Sequence, residues 1–255
     1  GFVSAYYLWT AFMIAGTILY FLISCNAYHF QFRQQGYSEE VSKKMATEAG
    51  QELFPAGNMK QSLLISARIP ETWILVIAYF VTFGGFMALT AWLPTYWQKA
   101  HGLSVTQAGL FTSVYACLAA LLRIPGGNLA DKIGGLKVSL FAISLLGTVA
   151  AVMAFSSNLA VSGLCTLIIA VAFGLNNAAI MKLVPVYVSK SVGGASGWVG
   201  GLGAFGGFVI PPVLGKVVDT MGTTGYYRGF LIFSLFSVIV MLILYFGLVV
   251  RNKNK

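Results

Sequence analysis

Stretches of about twenty apolar residues recur along this chain with only short polar breaks between them, and no other feature limits its fold so tightly. A helix needs roughly 20 such residues to cross the ~30 Å hydrocarbon core of a bilayer. No water is present there to pair with exposed backbone, so a crossing segment must be a helix or a strand of a closed barrel. The ten-residue alternation of barrel strands is not seen. The chain therefore reads as an all-α integral membrane protein. Composition agrees: 9% of its 255 residues are charged and 58% hydrophobic, with a mean hydropathy of +0.81, where a soluble domain carries about 25% charged residues.

Seven spans are expected, at 5–27, 72–98, 105–130, 137–156, 159–182, 193–216 and 227–250. Twelve Lys and Arg fall on one side: Arg33, Lys43, Lys44, Lys60, Arg68, Lys132, Lys137, Lys182, Lys190, Arg251, Lys253 and Lys255. Lys99, Lys216 and Arg228 fall on the other, and Arg123 lies inside a span. Positive loops stay in the cytoplasm, which puts the carboxy terminus inside and suggests the cell membrane as the location. The net charge of +9 is thus a topology signal. Its basic residues form no single face, so nucleic acid is not an expected partner. Cys25, Cys117 and Cys165 stand singly in three apolar stretches and read as small buried hydrophobes, without metal-ligand spacing. No metal or cofactor is expected.

The one long connection, 28–70, places Glu39 before Lys43 and Glu40 before Lys44 at helical i, i+4 spacing, predicting a short surface helix that ends before Pro55. That helix serves either as a docking or gating element or as part of a solvated linker. Gly1 is preceded by no Met or charged region, so the first span does not read as a signal peptide, and the sequence reads as a piece of a longer chain. One span, a charged linker and six closely spaced spans give three parts: residues 1–27 as the last helix of a preceding amino-terminal repeat missing from this sequence, 28–70 as a cytoplasmic linker, and 71–255 as a six-helix repeat of a two-repeat transporter.

After the third span the sequence GGNLADKIGGLK sets Gly127, Asp131, Lys132 and Lys137 in a tight turn, where Asp131 can accept hydrogen bonds from the start of the next helix. This G-x-x-x-D-x-x-G-x-x-K string resembles the inter-helix loop of the major facilitator superfamily, of the form G-x-x-x-D-x-x-G-x-K/R, which clamps the cytoplasmic side shut and releases during transport. In the sixth span, SGWVGGLGAFGGFVIPP puts Gly200, Gly203 and Gly207 on one helical stripe without side chains, open to a neighbouring helix or a very small substrate. With TWILVIAYFVTFGGF and LLRIPGGNLADKIGG, it is similar to the nitrate/nitrite porters of that superfamily over residues 72–250. The stripe would be their second glycine-rich nitrate motif.

Arg123 is the one formal charge well inside a span. An Arg there costs ~2.5–3.5 kcal/mol on insertion scales, so it needs a partner or a role. Eight residues, or ~12 Å of helix, separate it from Asp131, and a snorkelling or structurally paired side chain remains one reading. Anion capture is the other, because a guanidinium keeps its proton and its planar fork matches a flat oxyanion. The family resemblance implies the second. Tyr79 and Phe83, four apart on one face, are packing aromatics by spacing alone, and the same resemblance implies a substrate-contacting tyrosine and a pore phenylalanine. Asn176 and Asn177 are expected to hydrogen-bond between helices.

All seven acidic residues lie in loops or at span ends, which favours anion exchange over carboxylate-coupled proton symport. The resulting reading is a non-enzymatic transporter of a small inorganic anion, nitrate or nitrite, serving nitrate assimilation by alternating access. Another facilitator carrying an organic anion or drug, or a non-transporting membrane subunit, stands as the alternative.

Overall fold

The computed structural model of the protein describes residues 2–51 and 58–250. Glu52, Pro55 and the terminal Arg251, Lys253 and Lys255 used in the charge count lie outside those residues. The chain divides into two compact units, 1–55 and 56–255.

In the first unit α1 (Phe2–Ile23) is a 22-residue apolar helix that is solvent-exposed along its described length. Two short helices follow, α2 (Tyr28–Gln34) and α3 (Glu39–Glu48), packed on one another. Ser38 caps α3 by accepting the amide of Val41. Lys43 reaches Glu39 at 2.9 Å and holds its carboxyl below the usual range, whereas no ion pair joins Glu40 to Lys44.

The second unit opens with α4 (Met59–Ala67) and continues through six long apolar helices: α5 (Pro70–His101), α6 (Val105–Ile133), α7 (Gly135–Ala154), α8 (Leu159–Tyr187), α9 (Ser189–Arg228) and α10 (Leu231–Val250). With α1, seven described helices are long and apolar enough to cross a membrane. Their ends follow local chemistry. Pro70 starts α5 at a position where no amide is needed, and Gly102 at φ +67° ends it. Ser104 and Gln107 form a reciprocal capping box on α6. Asn158 accepts the amides of Ala160 and Val161 at the start of α8.

The third span runs farther than the sequence suggests. Residues 126–133 are helical, and the whole turn into α7 is Gly134 at φ +92°, a conformation glycine adopts without the Cβ penalty. Only Cys165 is buried as expected, while Cys25 and Cys117 are exposed.

Helix α8 lies at the centre of the bundle, against α5, α6 and α7, while α10 packs on α7 and α9 on α5. Polar side chains lock this arrangement. Asn176 accepts from Ser139 Oγ of α7 at 2.5 Å and donates to Thr82 Oγ1 of α5 at 2.9 Å, the interhelical role its sequence position suggests. Helix α4 is tied to α9 through buried serines: Ser191 Oγ donates to the Ser62 carbonyl at 2.7 Å, the Gly194 amide donates to Ser62 Oγ at 3.0 Å, and Trp198 Nε1 donates to the Leu63 carbonyl.

The α5–α9 crossing is glycine-built. A Cβ on Gly84 would come 2.5 Å from Gly206 Cα, and one on Gly206 would collide with the Phe80 carbonyl. Gly200, by contrast, has nothing within 4 Å of such an atom. Gly206→Ala therefore lowers stability by about 1–3 kcal/mol through overpacking. Gly200→Ala leaves it unchanged or raises it by up to ~1 kcal/mol through helix propensity. Thermal unfolding of the two variants side by side checks this contrast.

Candidate functional site

Two helix irregularities meet at the site. Between Tyr79 and Gly85, α5 opens into a π-helical turn, Phe80–Gly84, a form that recurs at functional positions. In α6 the helix is interrupted at Leu122, three residues before Pro125. The proline has no amide to offer the Leu121 carbonyl and crowds it, which breaks the ladder there. Arg123 is the first residue after that break.

The half-buried Arg123 side chain reaches from α6 to α5. Its Cζ lies 4.9 Å from the Phe83 ring centroid and 5.8 Å from that of Phe86, within cation–π range. Phe83 stacks on Tyr79 at 4.9 Å with 21° between planes, and Phe86 lies 5.9 Å from Tyr115. Tyr115 Oη donates to the Phe86 carbonyl at 3.2 Å, pinning α6 to α5 beside the rings. Among the described residues Arg123 has no hydrogen-bond or ion-pair partner. Its five donors are therefore available to a ligand.

The structure brings Arg123, Phe83 and Tyr79 together and backs them with part of the glycine stripe. A Cβ on Gly203 would sit 2.6 Å from Tyr79 Cδ1, so glycine there lets the buried tyrosine lie against α9. Gly207 meets Met87 in the same way, at 2.6 Å from its Cβ. Gly200 is not part of this contact. The stripe thus shapes the α5 wall, and Gly206, outside the spacing read from sequence, makes the tightest approach.

At the end of the bundle that holds Gly134, Asp131 does not bond the start of α7. Its two carboxylate oxygens instead take Lys182 Nζ of α8, each at 2.8 Å. Gly127 lies beneath that lysine, 3.9 Å from its Cε when a Cβ is added. Lys132 and Lys137 are exposed, and no described ion pair reaches them.

Two contributors escape a sequence reading. Phe86 follows Phe83 by three residues, a helical spacing that would have flagged it. Lys182 lies 51 positions from Asp131 and carries no local signal of pairing.

Comparison with known proteins bears on this arrangement. A family model described as Major Facilitator Superfamily matches residues 1–211 and, in an overlapping match, 75–255. A nitrite extrusion protein of Bacillus subtilis is 37% identical over 162 residues, 64% of this chain and 40% of the relative. A probable nitrate/nitrite antiporter of Thermus thermophilus is 34% identical over 59% of this chain and 38% of its own length. A probable nitrate transporter of Staphylococcus haemolyticus is 33% identical over 68% and 44%. The chain thus spans about two fifths of the length of these curated relatives. Among solved structures, a bacterial homologue of the human lysosomal transporter Spinster, in an inward-facing and unoccupied conformation, superposes with a TM-score of 0.51 at 18% identity, over 76% of this chain and 52% of that one. This last likeness concerns the fold.

A charge held in a span without an oxygen partner is kept at the expense of stability. Arg123→Met, which retains length and apolar packing, is expected to raise unfolding stability by about 1–3 kcal/mol in the absence of anion. A loss of stability in the same thermal measurement would mark Arg123 as a structural residue.

Proposed function

The chain belongs to the Major Facilitator Superfamily, a family of multi-pass membrane transporters, and on that footing we propose that it is part of a secondary transporter for nitrate and nitrite. Residues 71–255 form the carboxy-terminal six-helix repeat, 28–70 the cytoplasmic linker and 1–27 the last helix of an amino-terminal repeat. The carboxy terminus faces the cytoplasm of the cell that bears the transporter in its plasma membrane. Transport proceeds by alternating access of two repeats around a midplane site.

The observation that carries this reading is the guanidinium of Arg123, without an oxygen partner and laid over the rings of Phe83 and Phe86. Its planar fork offers two parallel N–H groups to the two oxygens of a flat anion, at a charge that no physiological pH removes. The rings stabilise the guanidinium charge without taking up its N–H groups as an oxygen partner would. Tyr79, stacked on Phe83, brings a phenol to the same wall as a further donor. The printed names of the similar proteins, nitrite extrusion protein and nitrate/nitrite antiporter, support this substrate class.

Gating falls to the Asp131–Lys182 pair with Gly127, Lys132 and Lys137 around it. The pair is exposed, 50% and 56% at its two side chains, so its contribution to overall stability is small. Its value lies in favouring one conformational state over another. The acidic residues lie in loops or toward span ends along the sequence, and that supports exchange of anions.

Two variants of the complete transporter that carries this chain test these roles. Arg123→Lys keeps the charge and loses the fork. Nitrate affinity is expected to fall at least about tenfold, the equivalent of one charge-assisted hydrogen bond, with thermal stability near wild type. Unchanged affinity would remove Arg123 from the site. Asp131→Asn is expected to slow uptake while equilibrium nitrate binding stays within about twofold, measured on the same preparation. Equal loss in both would assign Asp131 to folding or to substrate contact.

A further inference from the structure

Asn177 is 2% exposed in the middle of α8, and neither its Nδ2 nor its Oδ1 has a hydrogen-bond partner among the described residues. Its neighbour Asn176 has a partner at each amide atom, Ser139 at Oδ1 and Thr82 at Nδ2, so the orphaned amide is a property of one position and not of a polar patch. A buried amide without a partner is disfavoured strongly enough that native proteins rarely keep one without use.

Helix geometry gives its direction. Phe173 faces α5, its ring 3.0 Å from where a Cβ on Gly85 would sit, and Gly174 faces α6, where an added Cβ would meet the Ala119 carbonyl and Leu122 Cβ, each at 2.7 Å. Asn177 follows Phe173 by four residues and Gly174 by three in unbroken α-helix. At 3.6 residues per turn it therefore projects about 40° from the first and about 60° from the second, between the two. It points toward the seam between α5 and α6, one turn beyond the level of Gly85 and Leu122. Arg123, next to Leu122, crosses from α6 to Phe83 and Phe86 of α5 over the same stretch. Two polar groups without partners among the described residues, one cationic and one neutral, thus lie about one helical turn apart along the α5–α6 seam.

We propose that Asn177 donates the third hydrogen bond to the anion held by Arg123, and so sets the preference for nitrate over nitrite. This inference rests on the anion-site reading of Arg123 given above. The arithmetic is chemical. A guanidinium fork takes two oxygens, which nitrate and nitrite both possess. Nitrate alone has a third oxygen left over, and an amide Nδ2–H is a donor that adds no charge to the site. Binding the three-oxygen anion gives the buried Nδ2–H an acceptor, whereas the two-oxygen anion brings no third oxygen to it, the asymmetry by which buried polar groups discriminate between substrates.

The test is the affinity of the complete transporter for nitrate and for nitrite, measured for wild type, Asn177→Leu, Asn177→Ser and Arg123→Gln, with thermal stability on each sample. Leucine removes the amide at similar volume, and serine serves where leucine does not fit. Both variants are expected to weaken nitrate about tenfold and nitrite less than about threefold, lowering the nitrate-to-nitrite preference several-fold. Arg123→Gln is expected to weaken both anions together. An unchanged preference in the Asn177 variants, alongside loss of binding in Arg123→Gln, would overturn this inference and leave the anion site standing. Retention of both affinities in Arg123→Gln would overturn the anion site itself, and this inference with it.

Discussion

The placement of the Arg123 guanidinium on the faces of Phe83 and Phe86 governs how the rest of the site is built. A cation at this depth is costly in hydrocarbon. Two ring contacts of ~0.5–2 kcal/mol each offset only part of that. A carboxylate partner would cancel more of it, and would also consume the donors an anion needs. Aromatic faces stabilise the charge and leave its N–H groups without an oxygen partner among the described residues, the condition on which the proposed oxyanion site depends.

Both helices that make this contact are irregular beside it. In lipid each backbone group must be satisfied from within the protein, so helices depart from α geometry only where something compensates. Here both departures serve the same contact. The π turn Phe80–Gly84 carries Phe83, and the break before Pro125 delivers Arg123. Thr82 within the π turn donates to the Ala78 carbonyl and accepts from Asn176, which anchors the irregular segment to α8 and, through Ser139, to α7. On the opposite side, Gly203 and Gly206 bring α9 against α5. The distorted turn is thereby held from two directions, and the aromatic wall it presents is fixed without any polar side chain taking the guanidinium.

Much of this was legible in the residues. Span number and position follow from hydropathy, because nothing but a helix solves the backbone problem in a bilayer. Arg123 announces itself as a charge where charges are expensive. Tyr79 and Phe83 share a face at i, i+4, and Asn176 bonds between helices as a mid-span amide should. What stayed hidden depends on contacts between distant segments. Nothing near Asp131 points to Lys182, and the local rule that sends an acid to the next helix start failed because α6 runs on to Ile133 and turns within a single glycine. The stripe Gly200, Gly203, Gly207 has correct periodicity, yet the partner helix decides which members matter: Gly206 makes the closest approach and Gly200 touches nothing. Asn177 differs from Asn176 only in direction around the helix, and direction has meaning once α5 and α6 are in place.

The position of the anion relative to Arg123 is the quantity on which the whole account turns. In the complete transporter, with the arginine side chains carbon-13 labelled and nitrate labelled with nitrogen-15, dipolar recoupling in membranes measures the distance from the nitrate nitrogen to Arg123 Cζ. Two parallel N–H···O bonds of about 2.9 Å place those nuclei roughly 4 Å apart, and the account predicts a coupling of that size that vanishes when unlabelled nitrate is added in excess. A nitrate signal from bound anion with no coupling to Arg123 would contradict it.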